Sequence, residues 1–288
     1  MHIALIFKGD IMKKFICILI SVLIAYSFST ISFAETSVPM PDIKEYGFID
    51  CGDVKVEYGI YGVEDGQPLL LLPCNGADMH SFDDSILPEM AKYYKVITIS
   101  PRGTGKTERG PDMLNFEDMA EDLVKVLDYL KIEKTNIFGF SDGGNLGMVF
   151  TVNHPERVNS LVIMGSNINP LGTNTFDQIE IIFEYIFLSI KAMFTGDEAD
   201  ILKRDIQGLM VYQPNLTFKD LKNIKVPVLN IYGEHDMIKR IHSKRITRSI
   251  DGAQELMIID GGHSTCFEQT DTVINPALLE FYNNVPKI

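Results

Sequence analysis

Six short segments of the chain are apolar almost without a break: Leu69–Leu72, Val96–Ile99, Ile137–Phe140, Leu161–Met164, Val228–Tyr232 and Leu256–Ile259. A strand with one wet face alternates apolar and polar residues, so unbroken runs of this length predict strands buried on both faces, as in a parallel sheet. Ahead of them, Tyr46–Asp50 and Val54–Tyr61 alternate loosely and predict an antiparallel opening pair. Between the runs the period changes to that of a helix. The clearest case is Phe116, Met119, Ala120, Leu123, Val126, Leu127 and Leu130, with Asn115 placed to cap it and Asp118 three residues on. Strand and helix alternate as in a doubly wound, mostly parallel α/β sheet.

One interval breaks the rhythm. About 169–225, after the sixth strand, holds more residues than a crossover needs. Within it, Phe176–Phe194 is apolar at Ile179, Ile182, Phe183, Ile186, Phe187 and Ile190 on one side, while Ile181, Tyr185 and Leu188 widen the stripe beyond one face. A second helical pattern follows Asp197. A helix packed on the sheet explains much of this pattern. A small helical lid explains more of it, with one face toward the domain and the other, carrying Phe183 and Phe187, toward an apolar substrate pocket.

The first 34 residues read as an export signal. Met12-Lys13-Lys14 gives a basic start and the better initiator, Phe15–Tyr26 an apolar stretch too short to span a bilayer, and Ser32-Phe33-Ala34 a small-x-small cleavage site ahead of Glu35. Residues 35–288 then suit one domain, secreted or held in the cell envelope of a bacterium. The net charge of −13 disfavours nucleic acid and anionic membrane as partners and suits a small uncharged substrate. Of the four cysteines Cys17 lies in the export signal, and the three that would survive its cleavage, Cys51, Cys74 and Cys266, are too few and odd in number for a disulfide framework.

The candidate chemistry is concentrated at Gly139-Phe140-Ser141-Asp142-Gly143, between the run ending at Phe140 and the helical Gly144–Phe150 segment. A serine at such a sharp strand-to-helix turn projects its hydroxyl beyond the strand, and flanking glycines let the strand and helix come close. A serine hydroxyl needs a base within hydrogen-bond reach and an acid that orients the base. Gly233-Glu234-His235-Asp236 follows one predicted strand and Gly261-Gly262-His263 follows the last, so both would project from carboxyl ends. The order serine, acid, histidine is that of α/β-hydrolases.

These motifs, with Arg102-Gly103-Thr104-Gly105-Lys106-Thr107 after a strand, resemble the α/β-hydrolase fold superfamily across roughly Tyr46 to Tyr282. The resemblance implies that Ser141 is the nucleophile, His263 the general base and then acid, and Asp236 the orienting carboxylate, with Glu234 and Asp260 as rival acids. His80, His154, His235 and His242 are expected at the surface or in packing. Relatives carry H-G-x-G after the third strand, where this chain has Pro73-Cys74-Asn75-Gly76. Backbone donors tolerate that change, so the N–H groups of Asn75 and Asp142 are the expected oxyanion hole, and Cys74 is expected to narrow the acyl side.

Gly103–Thr107 ends like a phosphate-binding loop, but Ser100 stands where its first glycine would be. No Cys/His spacing suggests a zinc site. The expected activity is therefore a cofactor-free, metal-free serine hydrolase acting on a carboxylic ester or similar acyl bond. An aminopeptidase-like amide hydrolase, a cofactor-free perhydrolase and a non-catalytic binder that kept the fold are the alternatives.

Overall fold

The computed structural model describes residues 38–288, within one compact unit that spans Ala34–Ile288. The export reading of residues 1–34 lies outside the described residues. In chain order the elements are β1 (Ile43–Asp50), β2 (Lys55–Gly62), β3 (Pro68–Leu72), α1 (Ile86–Met90), β4 (Lys95–Ile99), α2 (Phe116–Tyr129), β5 (Thr135–Phe140), α3 (Asp142–Asn153), β6 (Val158–Met164), α4 (Thr175–Thr195), α5 (Glu198–Tyr212), β7 (Val228–His235), α6 (Arg240–Ser249), β8 (Gln254–Gly262) and α7 (Asn275–Asn283). No helix among the described residues is long and apolar enough to cross a membrane.

The eight strands form one sheet in the order β1-β2-β4-β3-β5-β6-β7-β8. β1 and β2 pair antiparallel and β2 joins β4 antiparallel, while every pairing from β4 to β8 is parallel. All six apolar runs are strands. Leu69–Leu72, Ile137 and Phe138, and Leu161–Ile163 are almost wholly excluded from water, as strands covered on both faces must be. After β3 the chain moves to one side to make β4, then crosses back through α2 to make β5 on the other side. That reversal opens a crevice at the carboxyl ends of β3 and β5, where ligands bind in such sheets.

α2 forms where its period predicted it. The Asn115 side chain accepts a hydrogen bond from the Asp118 N–H at 2.8 Å, and Phe116, Met119, Ala120, Leu123, Val126 and Leu127 are buried against the sheet. The loop after β4 is held by buried charge. Arg102 donates to Asp122 of α2 through Nε at 2.5 Å and to Asp53 of the β1–β2 turn through Nη1 at 2.7 Å. The Lys106 N–H donates to Glu57 Oε2 at 2.8 Å, and Thr107 Oγ1 accepts from the Glu57 N–H at 2.9 Å. Gly103–Thr107 is thus tied to β2 by a buried carboxylate, and its resemblance to a phosphate loop does not extend to a free anion cradle.

The interval between β6 and β7 carries α4 and α5, joined at Gly196 in the left-handed conformation (φ 61°) and Asp197, which caps α5 by accepting from the Ala199 N–H at 2.8 Å. α4 buries Ile181 and Ala192, and Gln207 of α5 reaches back to the Ile181 carbonyl at 3.3 Å. Leu209 of α5 packs into the main core.

Candidate active site

Ser141 stands between the last residue of β5 and the first of α3, with φ 54° and ψ −119°, a backbone conformation that costs energy for any residue but glycine. The surroundings hold it there. Its N–H donates to the Met164 carbonyl of β6 at 2.8 Å, and its carbonyl accepts from the N–H groups of Gly144 and Asn145, both at 3.0 Å. A β-carbon at Gly143 would run into the Leu72 carbonyl at the end of β3, and one at Gly139 would run into the Gly143 carbonyl. The two motif glycines are therefore required by the close approach of three backbone segments.

The hydroxyl meets its partners across the sheet edge. Ser141 Oγ lies 2.9 Å from His263 Nε2, and His263 Nδ1 lies 2.7 Å from Asp236 Oδ1. Asp236 directly follows β7 and His263 directly follows β8, so neighbouring parallel strands deliver acid and base to one rim. Asp236 Oδ1 also accepts from the Ile238 N–H at 2.9 Å, which fixes the carboxylate plane. Its other oxygen, Oδ2, is buried and makes no hydrogen bond among the described residues. The His263 ring rests on Phe140, with centroids 5.1 Å apart.

The rival acids lie elsewhere. Glu234 Oε2 accepts from the Asp260 N–H at 3.4 Å, and Asp260 points toward His235, 3.8 Å away. Asp260 is inside β8 at φ 56° rather than at its end. Glu234, His235 and Asp260 together could offer three metal-ligand atoms, but His235 and Asp260 are exposed and Arg240 already approaches Glu234 at 3.8 Å.

The loop after β3 faces the elbow. Asn75 and Asp142 line one small cavity with Pro73, Cys74, Gly143 and Leu146, and neither backbone N–H has a hydrogen-bond partner among the described residues. Asp142 opens α3, where the helix dipole adds positive potential. Its carboxylate is buried: Oδ2 accepts from Asn75 Nδ2 at 2.8 Å and Oδ1 from Asn145 Nδ2 at 2.9 Å. Burial pushes this carboxyl above the usual carboxylate range, opposed by the two amide donors and by the nearby His263. Asn75 Nδ2 also donates to the Ile206 carbonyl of α5 at 2.9 Å, so one side chain ties the elbow to the insertion.

Cys74 lines the same small cavity, which Ser141 and His263 do not line. Burial, and then the Asp142 charge, push its thiol up to about 11, so at neutral pH it is a packing group and a poor nucleophile. Cys51 and Cys74 are both free thiols.

Phe183 and Phe187 do not line that cavity. They project from the outer side of α4 and are exposed, whereas the cavity wall is made by Ile206 and Leu209 of α5 with Phe116 and Met119 of α2. α4 buries Ile181 and Ala192, and its aromatic stripe is exposed. Sequence reasoning also missed Gly165. It follows β6 at φ 60°, and a β-carbon there would come within 3.0 Å of His263 Cε1 and 3.2 Å of Asp236 Oδ2. The signal was available as a glycine directly after the strand that neighbours the elbow strand. His242 is buried in packing, accepting from the Ile168 N–H at 3.3 Å with its ring against Phe218, and burial pushes it down to about 4.

A family model for the alpha/beta hydrolase fold matches residues 67–197, which include the strand before the oxyanion loop, the elbow and the first half of the insertion. The chain has the α/β-hydrolase fold. Among α/β-hydrolases, a 2-hydroxy-6-oxo-6-(2'-aminophenyl)hexa-2,4-dienoic acid hydrolase from Metapseudomonas resinovorans is 26% identical over 268 residues, covering 80% of this chain and 89% of that protein. A Caulobacter segnis protein named as a carbamate hydrolase is 33% identical over 101 residues, which span 34% of this chain and 38% of that one. Among solved structures, the naproxen esterase of Bacillus subtilis superposes with a TM-score of 0.68 at 22% identity, over 86% of this chain and 94% of that one. Hydrolase relatives with esterase neighbours place this α/β-hydrolase among hydrolytic enzymes.

Proposed function

We propose that this α/β-hydrolase is an exported serine hydrolase that cleaves a carboxylic ester, or a similarly activated acyl bond, through an acyl-Ser141 intermediate. The continuous contact from Ser141 Oγ through His263 to Asp236, at 2.9 and 2.7 Å, supports this reading above all else. Ser141 Oγ attacks the acyl carbonyl carbon as His263 Nε2 takes the hydroxyl proton. Asp236 holds Nδ1–H and stabilises the imidazolium. The carbonyl oxygen turns toward the N–H groups of Asn75 and Asp142, each contributing about 3 kcal/mol to the transition state. Collapse expels the alcohol, which takes the proton from Nε2. Water then attacks the acyl-serine with His263 as base, releasing the acid and restoring Ser141.

A fluorophosphonate probe tests the nucleophile: wild type should be labelled and Ser141→Ala should not. A panel of aryl esters of rising acyl length beside aminoacyl anilides then tests the bond. Faster turnover of the anilides would replace the ester reading with an amide one, and an unlabelled, folded wild type would end both.

A further inference from the structure

The outer side of α4 is the largest apolar feature that the site does not use. Phe176, Ile179, Ile182, Phe183, Ile186, Phe187, Ile190, Met193 and Phe194 are all exposed, Phe176 at 84%, Phe183 at 64% and Phe194 at 80% of their full surface. Large apolar side chains present roughly 150–250 Å² each when fully exposed, so these nine leave on the order of 1,000 Å² of apolar surface in water. The largest patch on a monomeric protein is about 300–600 Å². A stable interface removes about 800 Å² from each partner, which this face alone supplies.

Spacing identifies what covers it. Phe176, Ile179, Phe183, Ile186, Ile190 and Met193 recur at intervals of three and four, the 3.5-residue period by which one helix meets another helix. Ile182, Phe187 and Phe194 flank that seam, and Glu180 is the one charged residue beside it. A lipid surface is the poorer match. Helices that lie on membranes carry lysine and arginine on their polar side, whereas α4 carries Asp177, Glu180 and Glu184 against Lys191 alone, in a chain of net charge −13. Lys191 is itself engaged by Asp200 at 2.6 Å.

We propose that α4 is the self-association surface of this protein, pairing antiparallel with α4 of a second copy about a two-fold axis near Tyr185. A two-fold interface uses the same patch on both copies, and the seam is centred on the helix so that both ends register. Phe183 then faces Ile186 of the partner subunit, Ile179 faces Ile190 of the partner subunit, and Phe176 faces Met193 of the partner subunit. Each helix, about 30 Å long, is in contact over most of its length. The pairing leaves the inner stripe of α4 on α5, and so leaves the cavity wall of Ile206 and Leu209 in place.

Sedimentation equilibrium of the full-length chain, from below micromolar to tens of micromolar, tests the pairing. Wild type should sediment at the mass of two chains. Phe183→Glu and Ile186→Lys, both at exposed positions and both expected to keep the wild-type circular dichroism and melting temperature, should each weaken association at least 100-fold. Mixing the two variants should restore a dimer, because the new carboxylate and the new ammonium meet only in the antiparallel register. Ile241→Glu, at an exposed apolar position on α6, should leave the dimer intact. A monomeric wild type would overturn the proposal, whether it binds phosphatidylcholine vesicles or shows α4 amides protected by the chain's own first 34 residues. A dimer indifferent to Phe183→Glu, or two variants that fail to pair when mixed, would overturn it as well.

Discussion

The elbow and the insertion carry similar amounts of apolar sequence and dispose of it in opposite ways. Around Ser141 the flanking elbow residues are buried and the closest backbone approaches fall at glycines: Gly139 against the Gly143 carbonyl, Gly143 against the Leu72 carbonyl, Gly165 against the His263 ring. On α4, nine large apolar side chains stand in water and the glycine at the turn, Gly196, has nothing within 4 Å of where a β-carbon would sit. The difference reflects what each region has to hold. A strained serine and two long-range partners need a frame that permits one arrangement, whereas a helical hairpin on the rim needs only its inner stripe packed, and its outer stripe is free for another surface.

The contrast can be broken most severely at the site itself. Ser141→Ala or His263→Ala should lower ester turnover by about 10⁴- to 10⁶-fold while the melting temperature moves by less than about 2 °C. Asp236→Asn should lose about 10⁴-fold, because the amide supports the wrong imidazole tautomer. Near-normal turnover in Asp236→Asn would transfer the acid role to Glu234 or Asp260. Gly143→Ala comes next. Its methyl meets backbone on a strand that cannot retreat, so denaturant unfolding should show a loss of about 3 kcal/mol or more.

Asn75 is where the two regions touch. Asn75→Ala would leave Asp142 Oδ2 buried without its donor and free the Ile206 carbonyl, so it should cost about 1–3 kcal/mol and lower kcat more than it raises KM. An unchanged kcat would separate the insertion from the oxyanion loop.

His242 reports on the packing beneath the insertion. Its pKa is about 4 in the folded protein against 6.5 when unfolded, so its contribution to stability is present above pH 6.5 and is lost as pH falls from 6.5 toward 4, over which the unfolded chain binds the proton first. Stability should fall across that window by on the order of 2 kcal/mol, and His242→Gln should flatten that limb of the profile. The smallest effect belongs to the insertion: Gly208→Ala, mid-helix in α5 with only the Tyr185 ring 3.3 Å away, should change stability by less than about 1 kcal/mol, in the stabilising direction.

The sheet was legible because burial on both faces leaves a composition signal that local context cannot disguise: Leu69–Leu72 and Leu161–Met164 could hardly be anything else. The meeting of Ser141, His263 and Asp236 was legible for a different reason, since the strained turn demands glycines at fixed offsets and parallel strands deliver Asp236 and His263 to one edge. The insertion was legible as two helices but not in orientation. Apolar residues on two sides of α4 say that two surfaces exist, and nothing in the periodicity says which one is buried; Ile181 and Ala192 are the buried ones, and Phe183 and Phe187 stand exposed. Gly165 and the Asn75–Asp142–Asn145 chain of hydrogen bonds were hidden because they join residues from separate segments through contacts that carry no period.

The account stands on Ser141 forming a covalent bond to the acyl group. Mixing the enzyme with an activated aryl ester, quenching in acid within a turnover and measuring peptide masses should place one acyl group on the peptide that carries Ser141, and none on the same peptide from Ser141→Ala. Undiminished ester turnover by Ser141→Ala, with no acyl group on that peptide in wild type, would contradict it.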